Sequence, residues 1–357
     1  MSRLDEGSKE VGKKLMKSQP WLTIAGIAIC SLLIDTPQSL AHVRPRQTKA
    51  NSNIEQIYAY NLPSELAVEL QKQEKNISCR DLDVNSQLTH FQTWINRGVA
   101  LQQQKQYRQS LFCLDRALAF QSESEQAWYR RGIALSHLKQ YSQAAFAYQQ
   151  AIKINPYEHT SWYNQGNAYK HLGRHEQAIT AYQQAISLKP DFHVAYYQTG
   201  KVLTKIGQYE QAIAAYQAAV ALNPDYLQGW YSLGGLLHRA KRYDEAIGVY
   251  QTALEVVPEQ HQAWYNLGNI YLQQKKYLKA IAAYKAATEL KPDYDLAWNN
   301  HGVALEALKR NNAALKSYTR ALQANPHYTK AMTNRRRLLL LVTTNGSPIQ
   351  YSTLSSQ

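Results

Sequence analysis

The 357-residue sequence is poor in the residues that build metal centres and disulfide frameworks. It has three cysteines, and none belongs to a Cys-x-x-Cys pair or to another zinc-like spacing. A structural metal site is therefore not expected. The three are Cys30, Cys79 and Cys113, of which Cys79 and Cys113 could pair if the chain is exported.

The sequence also lacks the motifs of common enzymes. It contains no glycine-rich phosphate loop, no His-Glu-x-x-His and no nucleophile elbow. His171 and His175 are four residues apart, but a Gly-Arg turn separates them, so we interpret them as surface histidines at a helix end. We expect no enzymatic activity, no metal and no cofactor.

Acidic residues and phenylalanine are scarce. Asp and Glu number 26 against 40 Lys and Arg, which gives a net charge of +14 and favours acidic partners: protein, nucleic acid or anionic membrane. Five Phe stand against 26 Tyr, which indicates positions that need a ring together with a hydroxyl group. Hydrophobic residues make up 45% of the chain, enough to favour a packed core over disorder.

The apolar run from Trp21 to Ile34 is short for a membrane-spanning helix. Its residues would rise only about 21 Å, against about 30 Å for the hydrocarbon core. Small residues at Ser39 and Ala41 fit cleavage after Ala41. We interpret residues 1–41 as a signal peptide or an uncleaved membrane anchor, with a buried apolar helix as the third alternative. The chain is then exported or membrane-associated through residues 21–34, or else cytoplasmic.

The remaining non-repeat segments are short. Residues 42–90 are predicted to be a linker with one amphipathic helix, Leu62 to Lys75, that begins near the N-cap candidate Ser64. Residues 329–342 are predicted to form a capping helix, and the Ser/Thr-rich residues 343–357 a disordered tail.

A 34-residue period fills residues 91–328 with seven units and no insertion. Position 4 is aromatic, position 8 is glycine and position 27 is alanine in every unit, while six units have alanine at 20, tyrosine at 24 and proline at 32. The glycines are Gly98, Gly132, Gly166, Gly200, Gly234, Gly268 and Gly302; the tyrosines at position 24 are Tyr148, Tyr182, Tyr216, Tyr250, Tyr284 and Tyr318.

This spacing predicts two helices in each unit. Positions 4, 8 and 11 share one face of a first helix, and positions 20, 24 and 27 share one face of a second. Small residues at 8 and 20 allow the two helices to approach closely, with the ring at 24 beside them. Proline at 32 ends the second helix. One hairpin has too little core to be stable alone, so neighbouring hairpins must stack.

Over residues 91–328 the pattern resembles the tetratricopeptide repeat. The resemblance implies an all-α, right-handed α-solenoid of helix-turn-helix repeats, with seven units and a C-terminal capping helix. It also implies that the first helices line a concave groove, in which positions 2, 5, 6, 9, 12 and 13 face a bound partner.

Carried onto this sequence, the resemblance implies a groove of tyrosine, amide and basic side chains. The tyrosines at position 5 are Tyr129, Tyr163, Tyr197, Tyr231 and Tyr265, with Asn299 in the last unit. The amides are Asn164, Asn167, Asn266 and Asn269, and the basic residues are Lys170, Lys201, Lys205, His238 and Arg239. Two alternatives remain open: the tyrosines could only support the helices, and the cations could be ordinary solvated residues.

Position 7 departs from the leucine common in the family. It is Arg97, Arg131, Gln165, Thr199 or His301 in five units. We expect these polar side chains to reach the groove or solvent, with looser packing between first helices as a result.

These observations predict a non-enzymatic scaffold that binds a peptide or protein segment in the groove. The basic side chains favour an acidic segment or a C-terminal carboxylate. The alternative is a nucleic-acid-binding solenoid that uses the net positive charge. Against that alternative, the basic residues are scattered and show no interleaved basic-aromatic motif.

Overall fold

The computed structural model describes residues 91–344, which form fifteen helices and no strand. The described chain divides into two units. The N-terminal unit, residues 91–206, contains α1 (Phe91–Gln103), α2 (Tyr107–Phe120), α3 (Glu125–His137), α4 (Tyr141–Ile154), α5 (His159–His171), α6 (His175–Leu188) and α7 (His193–Lys205).

The C-terminal unit, residues 207–344, contains the other eight helices. They are α8 (Tyr209–Leu222), α9 (Leu227–Arg239), α10 (Tyr243–Val256), α11 (His261–Gln273), α12 (Tyr277–Leu290), α13 (Asp295–Ala307), α14 (Asn311–Ala324) and α15 (Thr329–Thr344). In both units consecutive helices pack against each other, so the predicted all-α helical-repeat class is confirmed.

Close contact between glycine 8 and tyrosine 24 holds the two helices of a repeat together. A Cβ atom on Gly268 would lie 2.5 Å from Cε1 of Tyr284, and one on Gly132 would lie 2.5 Å from Cε1 of Tyr148. Real Cβ atoms do not approach other atoms so closely, so only glycine lets the ring enter. The first repeat keeps the arrangement with a smaller partner, since Leu114 packs at Gly98.

In five of the seven repeats the tryptophan at position 4 forms a hydrogen bond with the turn before it. The indole Nε1 of Trp128 donates to the carbonyl of Ser122 at 2.8 Å, and that of Trp230 donates to the carbonyl of Pro224 at 2.7 Å. The same six-residue link recurs at Trp162, Trp264 and Trp298. The aromatic position therefore also fixes the loop that leads into its helix.

The turn inside each hairpin has a residue with positive φ at position 15. Five of these residues are lysines, such as Lys139 at 60°, and two are Gly173 at 73° and Gly207 at 83°. This position was not predicted from the sequence, because lysine carries no turn signal. A left-handed conformation costs a non-glycine residue about 1–2 kcal/mol, which packing of the flanking helices must offset.

The expectation that polar side chains at position 7 reach the groove or solvent is wrong for Gln165 and Thr199. Both are buried, with 5% and 7% exposure. Gln165 Nε2 donates to the carbonyl of Ala145 on the preceding second helix, and Thr199 Oγ1 donates to the carbonyl of Ala195. Backbone carbonyls thus satisfy these side chains inside the packing.

The segments predicted outside the repeats are only partly described. Helix α15 ends at Thr344, two residues beyond the predicted capping helix and inside the predicted tail. The predicted leader or anchor, the helix at residues 62–75 and the Cys79–Cys113 pairing involve residues outside the described range and remain predictions. None of the helices in residues 91–344 is long and apolar enough to cross a membrane.

We expect Gly268→Ala to lower the free energy of unfolding by about 1–3 kcal/mol, because the added Cβ meets the Tyr284 ring. The control is Gly248→Ala in α10, where a Cβ would meet nothing within 4 Å and should stabilise the helix by about 1 kcal/mol. Urea unfolding followed by circular dichroism measures both. Equal effects of the two substitutions would contradict the close-contact explanation.

A second prediction concerns position 15. Lys139→Gly should raise the free energy of unfolding by about 1 kcal/mol, and Gly173→Ala should lower it by a similar amount. Gly173 has no neighbour within 4 Å of an added Cβ, so its substitution tests backbone conformation alone. Opposite signs in urea unfolding are expected, and equal signs would refute the assignment.

Candidate functional site

The predicted site lies on the first helices, and we call their positions 5, 6, 9 and 12 the first-helix face. In the N-terminal unit Tyr129 and Tyr163 are only partly exposed. The Tyr129 ring lies 6.0 Å from the Tyr148 ring, and the Tyr163 ring lies 5.8 Å from the Tyr182 ring. The position-5 tyrosines therefore pack on the core tyrosines as well as lining the face.

Side chains at position 6 link neighbouring first helices. Asn164 Nδ2 donates to the hydroxyl of Tyr129 at 3.1 Å, and Asn300 Nδ2 reaches the hydroxyl of Tyr265 at 3.4 Å. Both pairs are 35 residues apart, from position 5 of one repeat to position 6 of the next. Some of the amides predicted to bind a ligand thus also fix the spacing between repeats.

Core tyrosines reach this face with their hydroxyl groups. Tyr182 donates to Asn167 Oδ1 at 2.9 Å, and Tyr284 donates to Asn269 Oδ1 at 2.8 Å. Burial raises the pKa of both phenols, so they remain protonated donors. The need for a buried ring with a bonded hydroxyl explains why tyrosine stands here in place of phenylalanine.

Lys170 is the most unusual side chain of the N-terminal unit. It is half-buried at position 12 of α5, and its Nζ donates to Asn167 Oδ1 at 3.1 Å and to Gln198 Oε1 at 2.9 Å. Burial, followed by repulsion from Lys201, lowers the pKa of Lys170 to about 8. The cation is held by amide oxygens, which carry no charge to balance it.

Further basic side chains lie near Lys170. The ammonium of Lys201 lies over the ring of Tyr197, 5.6 Å from its centroid. His171 stacks on Tyr141 with ring centroids 4.4 Å apart. Burial lowers the pKa of His171, and repulsion from Lys170 and Lys201 lowers it further.

Carboxylates are not placed to neutralise this cluster. In the described part of the N-terminal unit, the ion pairs are Arg131 with Asp115 and His159 with Glu158. Neither pair includes Lys170 or Lys201. Lys205, also predicted as a site residue, is exposed at the end of α7.

Two of the predicted residues in the C-terminal unit form hydrogen bonds with glutamine side chains that were not predicted as site residues. The Tyr231 hydroxyl donates to Gln260 Oε1 at 3.1 Å, and His238 Nε2 lies 2.6 Å from Gln273 Oε1. Burial raises the pKa of the Tyr250 hydroxyl, and Asn266 opposes that rise. Arg239 is exposed.

Asn299 does not line an open surface, contrary to the prediction. Its side chain is buried, with 4% exposure. Asn299 Nδ2 donates to Asn300 Oδ1, and its Oδ1 accepts from Asn334 Nδ2 at 3.0 Å. The side chain is buried because α15 packs over it, where its neighbour Asn334 occupies position 6.

Two members of the network were not among the predicted site residues. Gln198 holds Lys170, and Glu306 accepts from the Tyr318 hydroxyl at 2.8 Å and pairs with Arg337 at 2.6 Å. Their spacing of 28 and 31 residues from their partners is the signal that could have identified them. Residues 91–344 contain no group of three or more side chains suited to hold a metal.

Sequence profiles of the tetratricopeptide repeat match residues 125–158 and 159–192, and a second profile of that repeat matches residues 197–255, 244–295 and 276–329. Together the matches cover more than half of the chain. The chain belongs to the tetratricopeptide repeat family. Tetratricopeptide repeats form protein-interaction scaffolds, generally without catalysis, and the chain is a scaffold of this class. No curated protein matches its sequence.

Three solved structures resemble this chain, and the first of them shares its fold. The C-terminal part of a repeat-containing protein from Cytophaga hutchinsonii has a TM-score of 0.61 at 16% identity, covering 67% of this chain and 98% of that one. YrrB, a tetratricopeptide repeat protein with an unusual peptide-binding site, has a TM-score of 0.46 at 23% identity. The match covers 54% of this chain and 99% of YrrB. MamA has a TM-score of 0.44 at 26% identity, and the match covers 48% of this chain and 94% of MamA.

Tyr182→Phe should lower the free energy of unfolding by about 1 kcal/mol, because it removes the hydroxyl that donates to Asn167 and leaves the ring in place. Tyr157→Phe is the control, since Tyr157 is 78% exposed and should show no change. Urea unfolding of both variants checks this. A stability loss in neither variant would mean that the hydroxyl network contributes nothing.

Proposed function

We propose that the protein binds an acidic peptide segment on the first-helix face of its N-terminal unit. The observation that carries this proposal is Lys170, a half-buried cation held by two amide oxygens with no described carboxylate as its ion-pair partner. A carboxylate of the ligand would supply the missing charge. The membership in a family of protein-interaction scaffolds supports a peptide or protein as the source of that carboxylate.

The energetics favour a charged ligand at this point. Burial has already removed part of the water from Lys170, as its lowered pKa of about 8 indicates. An arriving carboxylate therefore has less solvation of the cation to displace, and a charge-assisted bond is stronger than a neutral one. Repulsion from Lys201 also lowers the pKa of Lys170, and an acidic segment that interacts with both ammonium groups would relieve that repulsion.

The surrounding residues suit an extended chain. Tyr129 and Tyr163 offer partly exposed rings with hydroxyl groups, and Asn164 has a carboxamide oxygen beyond the bond that its nitrogen makes to Tyr129. Rings and amides of this kind bind apolar side chains and peptide backbone. We further infer from the sequence that the scaffold is exported or held at a membrane through residues 21–34.

A fluorescein-labelled peptide that alternates glutamate with apolar residues tests the proposal. We expect Lys170→Gln to weaken its binding to the full chain by about tenfold, since a charge-assisted bond contributes about 1.5–3 kcal/mol. Lys153→Gln is the matched control, because Lys153 is exposed on the second helix α4. Fluorescence anisotropy measures both, and an equal loss in both variants would show that only net charge matters.

The pH dependence has a defined sign. Lys170 must be protonated and the glutamates of the peptide ionised, so affinity should be constant between about pH 6 and pH 7 and fall above about pH 8, as the free lysine loses its proton. Lys170→Arg keeps its charge over this range and should bind without the fall. A fall that persists in Lys170→Arg would place the titrating group elsewhere.

The same assay separates the nucleic-acid alternative. Binding of an oligonucleotide should weaken steeply and linearly on a logarithmic salt scale, while apolar contacts to a peptide persist at high salt. If single-stranded DNA displaces the peptide at equal concentration and Lys170→Gln has no effect on either ligand, the peptide proposal fails.

A further inference from the structure

Helix α15 has the register of a first helix. Ala331 and Leu338 are buried, at 0% and 1% exposure, and correspond to positions 3 and 10. Those positions are also buried in α13, at Ala297 and Ala304. Helix α15 therefore packs against α14 as a first helix packs against the preceding second helix.

The opposite face of α15 is open. Leu339 stands at position 11 and is 48% exposed, whereas the leucines at position 11 of α9 and α13, Leu237 and Leu305, are 1% and 5% exposed. Met332, at position 4, is 42% exposed. In those two repeats a fourteen-residue second helix covers this face. No second helix follows α15 within residues 91–344.

This open face is basic as well as apolar. Arg335 and Arg336 are exposed and alternate with Leu339 and Met332 around the helix. A shallow cleft beside it is lined by leucine and cationic side chains without any carboxylate: Leu315, Lys316, Arg320, Arg335 and Leu339, together with Thr319 and Gln323.

We propose that this face docks an acidic amphipathic helix from a partner protein, in the place where a second helix covers the other repeats. A helix is the expected ligand for this face, because a second helix packs at the same place in the complete repeats. The exposed methionine and leucine need an apolar stripe, and the arginines need carboxylates beside it.

The second helix of another copy of this chain does not fit the open face of α15. Six of the seven second helices carry Tyr at position 24, and its ring requires glycine at position 8: a Cβ on Gly302 would lie 2.6 Å from Cε1 of Tyr318. The leucine at position 24 of α2 has the same requirement, since a Cβ on Gly98 would lie 2.9 Å from Cγ of Leu114. Arg336 occupies position 8 in α15. The net charge of +14 also opposes association of two copies.

The chain that follows α15 is a poor candidate for the same reason of charge. Residues 345–357 contain neither Asp nor Glu, and they include Gly346 and Pro348, which disfavour a helix. A partner protein that supplies a helix with acidic side chains matches both the shape and the charge of the open face of α15.

A fourteen-residue peptide with leucine at helical spacing and glutamate on the flanks tests the proposal on the full chain. We expect it to bind, with an increase in helicity by circular dichroism. Affinity should fall about tenfold in the Arg335→Glu/Arg336→Glu variant and also in Leu339→Ser. All three side chains are exposed, so folding should be retained. The matched control is Arg108→Glu/Arg116→Glu on the exposed side of α2, which should bind as the unchanged chain does.

Several results would overturn the proposal. If a peptide with lysine in place of each glutamate binds equally well, charge complementarity does not explain the binding. If a peptide with proline in its centre binds equally well, the ligand does not bind as a helix. Dimerisation that Arg335→Glu/Arg336→Glu abolishes would assign the face to a second copy. Binding of anionic vesicles through the same arginines, without peptide binding, would assign it to a membrane. Loss of binding in Lys170→Gln alone would assign the peptide to the first-helix face.

Discussion

The contact between glycine 8 and tyrosine 24 is the constraint on which each repeat depends. Because the glycine has no side chain, the ring enters between the two helices, and its hydroxyl emerges on the first-helix face. The same tyrosine therefore fixes the distance between the helices and positions a polar side chain such as Asn167. Packing and surface chemistry are coupled through one residue in every repeat that has it.

This coupling explains how similar repeats acquire different surfaces. The Tyr182 hydroxyl bonds Asn167, which also holds Lys170, whereas the Tyr318 hydroxyl bonds Glu306, which pairs with Arg337. The half-buried cation has no carboxylate partner among the described residues in the first case, and the cation is paired with a carboxylate in the second. These two repeats thus differ in local charge although their helices pack alike.

The helix pairs and their faces could be predicted because small and aromatic residues recur at fixed positions. The role of a position in one repeat therefore applies to the same position in the others. The left-handed residue at position 15 could not, since lysine gives no local signal and only the flanking helices impose it. The roles of Gln165 and Asn299 were misjudged for another reason. Whether an amide meets solvent or a buried carbonyl depends on the neighbouring repeat, which a position within one repeat does not show.

The central claim is that the first helices recognise a ligand while the second helices hold the scaffold. Hydrogen exchange followed by mass spectrometry, with and without the glutamate-containing peptide, tests it most directly. The account predicts slower exchange in α5 and α7, which carry Lys170 and Gln198, and unchanged exchange in α4 and α6. Protection confined to the second helices, or spread evenly over all helices of the N-terminal unit, would contradict it.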